Sequence, residues 1–425
     1  MASDRMPLAG RAVTVGVAMA LGYVGIYLCR KNLGVAIPMM IEAGFVPDKK
    51  TAGVIASYST VAYMLGKFIS GPLVDRLGGR SGLLASMGLV ALFGALGGFA
   101  PGLWPLVLLY SLNRLAGAGA WNAIMKLAST WYAPGRLATA IGALSLSYVF
   151  GGAAAAAFGA FIASQWKDWH VVMSAPAAPL LLLTILCIAV VRQGPLNEVP
   201  ADNVSTEGAA SIPSRSTLTF GQKVLRLLSR PQFITICILS FALTLFREIF
   251  STWSIDFLKS ISADGKSVST AALESTAYEF AGAIPILVMG YFYDRIGPGA
   301  RRVVVVTILA LLTLTLALLT TVSKGAPGLA LPLLVACGLL LYGPYSILAG
   351  VVSVESGGTE LAGTATGIAD GIGYFASILA GSVVGEILDR AGYPVAFGLM
   401  SGLCAFATLA AAIGLRFRPA VVAAP

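Results

Sequence analysis

Long apolar runs recur along almost the whole chain and constrain its fold more than any other feature. Roughly 20 apolar residues are needed for a helix to cross a bilayer, and twelve runs are long enough. They lie near 12–38, 51–74, 82–101, 104–129, 136–164, 170–191, 232–258, 269–293, 301–322, 328–352, 361–387 and 393–415. Only 11% of the residues are charged, against about 25% in soluble domains. The sequence therefore predicts an all-α membrane protein with twelve transmembrane helices.

One long polar stretch separates the first six apolar runs from the last six. It predicts an N-terminal bundle (1–191), a cytoplasmic linker (192–231) and a C-terminal bundle (232–425). Part of the linker, 216–230, is expected to form an amphipathic helix on the membrane surface.

Both halves carry a Gly-x-x-x-Asp-Arg-x-Gly loop, which contains Asp75 and Arg76 in the first half and Asp294 and Arg295 in the second. The two aspartates are 219 positions apart. This duplicated loop resembles the signature of the major facilitator superfamily. The resemblance implies two pseudo-symmetric six-helix bundles with a solute site between them near the bilayer midplane. We expect the four loop residues to cap helix ends and pair across the cytoplasmic face in one conformer only, as a gate.

Lysine and arginine are distributed unevenly among the predicted loops. With both termini in the cytoplasm, 15 of these residues lie in cytoplasmic segments, 7 in outer loops and 6 within spans. This bias follows the positive-inside rule and predicts a multi-pass protein of the cell membrane, embedded in the lipid bilayer. Because the basic residues are scattered, the net charge of +9 does not indicate a nucleic-acid partner.

The composition gives little support to catalytic or metal sites. The five cysteines lie in apolar runs without close pairing, and His170 is the single histidine, so neither disulfides nor a metal site is expected. No phosphate-binding glycine loop with a following Lys-Ser or Lys-Thr occurs, which argues against ATP hydrolysis. We expect a monomer that is not an enzyme and uses no cofactor.

Two arginines lie deep inside apolar runs, Arg30 in the first span and Arg247 in the seventh, 217 positions apart. A charge in the middle of a membrane helix costs at least ~2.5 kcal/mol. A guanidinium offers a planar fork that fits phosphate or carboxylate and stays protonated. The matched pair predicts an anion site between the halves; the alternative is a pair of structural arginines satisfied by Glu248, Glu279 or backbone carbonyls.

Short motifs in order along the chain resemble the organophosphate:phosphate antiporter family. They are Tyr27–Asn32, Gly66–Gly71, Arg247–Trp253, Glu279–Gly282, Leu341–Pro344 and Gly363–Ala365. The resemblance implies that Arg30 and Arg247 bind a phosphoryl group and that rocking of the halves carries it across. It also assigns Lys67, Tyr23, Tyr27 and Tyr342 to the cavity. Tyr23 and Tyr27 share one helix face with Arg30, which supports their assignment.

Some positions depart from the family pattern and leave the substrate and the coupling ion open. Residues 145–152 contain no histidine, residues 121–124 read Trp-Asn-Ala-Ile instead of Trp-Pro-Pro-Cys, and Thr252 takes the place of an acidic residue. Arg114 lies in a motif, Arg-Leu-Ala-Gly-Ala-Gly, that resembles the fourth span of proton-coupled facilitators. Asp370, in the eleventh span, either titrates during transport, pairs with an arginine, or faces water without a coupling role.

Glu248 and Glu279 are either counter-ions of Arg247 and Lys67 in the empty carrier or members of simple structural pairs. The leading interpretation is inward transport of a phosphorylated organic anion, such as glycerol 3-phosphate or a sugar phosphate, in exchange for inorganic phosphate. A proton-coupled carrier of carboxylates or sugar acids, using Asp370 and Arg114, is the main alternative. A drug efflux carrier is disfavoured by the buried arginines, and a sensor of a phosphorylated ligand is also considered.

Overall fold

The computed structural model describes residues 8–194, 219–261, 268–325 and 327–415, and in these ranges the regular structure is helical, with no strand. The helices are α1 (Leu8–Lys31), α2 (Leu33–Glu42), α3 (Lys49–Leu77), α4 (Gly79–Gly97), α5 (Leu103–Trp131), α6 (Pro134–Trp166), α7 (Trp169–Ser174), α8 (Ala177–Val190), α9 (Phe220–Leu228), α10 (Pro231–Ser260), α11 (Val268–Arg295), α12 (Pro298–Gly325), α13 (Ala330–Ile347) and α14 (Ser353–Gly414). A 3₁₀ turn (Pro327–Leu329) precedes α13, and a π turn (Leu348–Val352) follows it.

Nine stretches of the described chain are long and apolar enough to cross a membrane. One of them, Pro327–Gly381, contains the predicted run 328–352 and most of the run 361–387. The predicted spans 104–129 and 269–293 lie in α5 and α11, which are also long helices. These two helices fall outside the nine because polar residues such as Arg114 and Glu279 interrupt them. The predicted all-α, multi-pass fold is confirmed.

Several predicted spans contain an interruption of the helix. The first is made of α1 and α2, which meet at Asn32, whose side-chain amide donates to the carbonyl of Met173 at 3.0 Å. The long helix α14 contains the last two spans, and its backbone breaks at Gly392, where φ is 74°. Glycine tolerates this left-handed conformation because it has no Cβ, and the following Pro394 begins the final segment.

The amphipathic helix predicted over 216–230 is present as α9 (Phe220–Leu228), while residues 195–218 lie outside the described chain. Its first turn has a capping box, in which Thr219 and Gln222 satisfy each other's backbone amides. The leucine at 227 is buried, whereas Leu225 and Leu228 are exposed. We call the end of the protein where α1 begins and α9 lies the linker end.

Helices α1–α8 form the N-bundle and α10–α14 form the C-bundle, which pack against each other along two crossings. Helix α3 crosses α14, and α11 crosses α6. A Cβ added at Gly71 would lie 2.6 Å from the carbonyl oxygen of Gly363, and one added at Gly290 would lie 2.6 Å from that of Ala138. Both crossings therefore depend on glycine to let the backbones touch.

Candidate functional site

A cavity of about 380 Å³ lies between the two bundles and is lined by both predicted arginines, Arg30 from α1 and Arg247 from α10. Leu33 and Gly34 of α2 and Ser59 of α3 also line it. Because α2 and the first half of α3 lie away from the linker end, the cavity extends from the middle of the protein toward the opposite end.

Cations outnumber carboxylates on the wall of this cavity by four to two. The cations are Arg30, Lys31, Arg114 and Arg247, and the carboxylates are Glu248 and Glu279. With every group ionised, the described wall carries a net charge of +2. A cavity with this excess attracts anions and opposes cations.

Arg30 lies in the last turn of α1, where its positive charge faces the negative end of the helix dipole. Its guanidinium donates to the hydroxyls of Tyr63 at 3.1 Å, Tyr374 at 3.3 Å and Tyr27 at 3.5 Å. Tyr374 belongs to the C-bundle, so this arginine already bridges the halves. Its Nε is buried without a hydrogen-bond partner among the described residues, which leaves a donor for a solute.

Arg247 forms a hydrogen-bonded ion pair with the neighbouring Glu248. Its guanidinium also lies 5.1 Å from the ring centre of Tyr345. Its Nε is likewise buried with no partner in the described chain. Glu279 is exposed on the same cavity wall and forms no ion pair with Lys67, which was one of the sequence alternatives.

Lys67 and Asp370 form an ion pair across the bundles, with Nζ and Oδ2 2.8 Å apart. Their side chains are 1% and 8% exposed. Of the three alternatives that the sequence left for Asp370, the structure resembles the one in which it forms an ion pair. The partner is a lysine and not the expected arginine. The pair lines a second, smaller cavity of about 30 Å³ that also touches Arg247.

The predicted tyrosines lie around these two cavities. Tyr27 lines both of them, Tyr23 lines the smaller and Tyr342 lines the larger. Tyr23 and Tyr27 contact each other edge to face, with ring centres 5.4 Å apart. All three tyrosines are thus brought to the region between the bundles.

Arg114 of α5 lies over the ring of Tyr63, with its guanidinium carbon 4.5 Å from the ring centre. Arg30 lies 4.3 Å from the same ring. One tyrosine therefore contacts two cavity arginines through cation–π interactions, each worth about 0.5–2 kcal/mol.

The aspartates of the repeated loops bind main-chain amides of the opposite bundle. Asp75 accepts hydrogen bonds from the amides of Gly363 at 3.0 Å and Thr364 at 2.6 Å. Asp294 accepts from the amides of Ala138 at 3.1 Å and Thr139 at 2.7 Å. We call these two contacts the amide latches. They hold the linker end closed, because each joins one bundle to the first turns of a helix in the other.

The loop arginines do not pair across the interface in this conformer. Arg76 lies over the ring of Phe220 in α9, at 4.7 Å. Arg295 stays within its own loop, over the ring of Tyr291 at 3.3 Å. Their predicted role in gating is separate from the latches seen here.

Sequence reasoning missed two residues that complete the site. Tyr63 and Tyr374 both contact Arg30 and touch each other, with ring centres 4.6 Å apart. A signal for them existed: Tyr63 precedes Lys67 by four positions and Tyr374 follows Asp370 by four, so each shares a helix face with a charged residue. Away from these two cavities, Lys126 binds Asp75 at 2.9 Å.

The chain matches the family model of the Major Facilitator Superfamily over residues 19–382. It therefore belongs to the Major Facilitator Superfamily, a family of membrane transporters. The two-bundle fold, the cavity between the bundles and the duplicated loops agree with this membership.

Curated relatives cover nearly the whole chain. A probable hexose phosphate transport protein of Chlamydia pneumoniae is 25% identical over 414 residues, which is 94% of this chain and 89% of that protein. The glycerol-3-phosphate transporter of Bacillus subtilis (strain 168) is 23% identical over 403 residues, 92% and 90% of the two chains. The membrane sensor protein UhpC of Escherichia coli (strain K12) is 24% identical over 405 residues, 92% and 89%. These similarities confirm the predicted resemblance to the organophosphate:phosphate antiporter family.

Proposed function

We propose that this protein transports small phosphorylated organic anions, such as glycerol 3-phosphate or sugar phosphates, in exchange for inorganic phosphate. The observation that carries the proposal is the cavity shared by Arg30 and Arg247, one from each bundle. A phosphate ester carries about −1.5 to −2 charges near neutral pH, which matches the excess of +2 on the described wall. The named transporters of hexose phosphate and glycerol 3-phosphate among its relatives support the same substrate class.

The size of the cavity fits a small metabolite. At about 380 Å³ it falls near the lower end of the ~300–1,000 Å³ range of small-molecule sites. In this proposal the two arginines hold the phosphoryl group, and Tyr27 and Tyr342 contact the organic part. Lys67 and Tyr23, which line the smaller cavity, would join the site as the solute moves toward the linker end.

The contrast between the two ends supports alternating access. The amide latches close the linker end, whereas the cavity extends toward the opposite end. We propose that residues 1–191 and 232–425 rock as two halves joined by the linker 192–231, and that Asp75, Arg76, Asp294 and Arg295 gate this movement. The substrate must favour the closed intermediate, because equal affinity for both open states would shift no population. We place the protein in the cell membrane as a monomer with cytoplasmic termini.

Counterflow tests the proposal directly. Purified protein in liposomes loaded with inorganic phosphate should take up external radiolabelled phosphate, and external glucose 6-phosphate or glycerol 3-phosphate should compete. The uptake should persist without a pH gradient. If phosphate self-exchange is absent although the protein is folded, the exchange function is wrong.

Two other functions have specific support. The buried Lys67–Asp370 pair and the motif around Arg114 favour a proton-coupled carrier of carboxylates or sugar acids, with Glu248 and Glu279 as further counter-ions. Uptake that needs a pH gradient and ignores phosphate would support that function. The similarity to a membrane sensor protein favours a ligand sensor, which counterflow by the purified protein would exclude.

A further inference from the structure

The ionised groups of the larger cavity are divided unequally between its two walls. The N-bundle supplies Arg30, Lys31 and Arg114, and no carboxylate, to the described wall. The C-bundle supplies Arg247 together with Glu248 and Glu279. The N-bundle wall thus carries three positive charges and the C-bundle wall one net negative charge.

The cations also differ in whether a carboxylate of the protein already neutralises them. Lys67 is paired with Asp370, and Arg247 is paired with Glu248. Among the described residues, neither Arg30 nor Arg114 has a carboxylate within ion-pair distance. A guanidinium removed from bulk water without a counter-ion is costly, and an anion that enters the cavity relieves this cost.

Tyr63 fixes these two arginines relative to each other. Its ring is contacted by Arg30 at 4.3 Å and by Arg114 at 4.5 Å, and its hydroxyl accepts a hydrogen bond from Arg30. Tyr110, one helical turn before Arg114, donates its hydroxyl to the carbonyl oxygen of Arg30 at 2.6 Å. Helices α1, α3 and α5 therefore hold both guanidinium groups on the N-bundle wall before any solute arrives.

We infer that Arg114 is a substrate-binding residue which, together with Arg30, holds the phosphoryl group on the N-bundle wall while the linker end is closed. Arg247 then engages only when it leaves Glu248, as the bundles approach each other over the solute. This inference rests on the proposed function and deepens it, because it makes dianionic phosphate the preferred charge form. It also gives Arg114 a role other than proton coupling.

The test measures binding of glucose 6-phosphate and inorganic phosphate to purified protein by titration calorimetry. Arg114→Gln should weaken the binding of both compounds by about 10-fold or more. This corresponds to the lower end of the free energy of one charged hydrogen bond. Arg390→Gln is the matched control, because it makes the same substitution at an exposed position outside the cavity. We expect it to weaken binding by about threefold at most, since exposed charges are screened by water and salt.

The pH profile separates a binding role from a structural one. The second ionisation of a phosphate ester lies near pH 6, so wild-type affinity for glucose 6-phosphate should rise between pH 5 and pH 7.5. Glucose 6-sulfate, whose charge is fixed in this range, reports any change that belongs to the protein itself. In Arg114→Gln the increase of affinity for glucose 6-phosphate with pH, measured relative to glucose 6-sulfate, should be smaller. In Arg114→Lys this increase should remain.

Arginine modification of the wild-type protein covers the case in which the variants do not fold. Phosphate should protect Arg114 as well as Arg30 from phenylglyoxal, as read by mass spectrometry, and chloride at equal ionic strength should not. If saturating phosphate leaves Arg114 unprotected, or if folded Arg114→Gln binds as tightly as wild type with the same pH profile, the inference is overturned and the transport function stands. If the wild type binds no phosphate compound, the proposed function itself fails.

Discussion

The two bundles are alike at the linker end and different in the middle of the protein. At the linker end each provides a glycine crossing and an aspartate that binds main-chain amides of the other. Around the larger cavity, Arg30 and Arg114 of the N-bundle have no carboxylate within ion-pair distance among the described residues, whereas Arg247 of the C-bundle is paired with Glu248. The two bundles therefore keep their symmetry at the linker end and lose it at the cavity.

The strongest test of this difference replaces the two central arginines in turn. Arg30→Gln and Arg247→Gln should each lower phosphate exchange by about 100-fold, which corresponds to about 3 kcal/mol for a charged hydrogen bond. Measurements of phosphate binding should distinguish the two variants. Arg30→Gln should lose phosphate binding, whereas Arg247→Gln should keep most of it, because Arg247 is already paired with Glu248. Titration calorimetry on both variants measures this difference. Equal losses of phosphate binding would contradict the unequal charge of the two cavity walls.

The symmetric crossings predict equal effects in the two halves. Gly71→Ala and Gly290→Ala each place a methyl group 2.6 Å from a carbonyl oxygen of the other bundle, and such overpacking costs about 1–3 kcal/mol. Both should open the linker end, measured as longer distances between spin labels on α3 and α14. Gly88→Ala and Gly402→Ala are matched controls, since an added Cβ there meets nothing within 4 Å. A large effect at only one crossing would break the symmetry.

The amide latches sharpen the comparison, because only one includes a lysine. Asp75→Asn weakens two charged hydrogen bonds from main-chain amides and leaves the 7% exposed Lys126 without its carboxylate. Asp294→Asn weakens two such bonds and a third from the hydroxyl of Thr139. We expect Asp75→Asn to destabilise the closed linker end by about 1 kcal/mol more than Asp294→Asn does. Thermal unfolding of both variants in detergent, with Asp168→Asn as a control away from the interface, would measure it. A larger loss in Asp294→Asn would contradict the role assigned to Lys126.

The smallest effect is expected at α9. Lys223 pairs with Glu360 of the C-bundle at 2.8 Å, but the carboxylate side chain is 61% exposed. Lys223→Ala should therefore change stability by less than about 1 kcal/mol, as is usual for exposed ion pairs. An opening of the linker end as large as in the glycine variants would show that α9 takes part in closing it.

The sequence predicted the helices, the duplicated loops and the two central arginines, because each depends on local composition or on a repeat. Arg30 and Arg247 could be found since a charge in an apolar run has few tolerable explanations. Pairing could not be predicted in the same way. Lys67 and Asp370 are 303 positions apart, and which carboxylate meets Lys67 depends on how α3 crosses α14. The partner of Lys126 could not be predicted for the same reason, because Asp75 lies on another helix.

Both amide latches use a side-chain acceptor on one bundle and main-chain donors on the other. Every residue except proline presents the same N–H group, so substitutions at 138, 363 or 364 that keep the backbone in place should leave the latch intact. Charge reversal across the interface cannot rescue a lost aspartate, because the described groups that each aspartate binds on the other bundle are uncharged. Genetic suppressors of Asp75 or Asp294 variants should therefore arise elsewhere, at positions that alter the balance between the two open states.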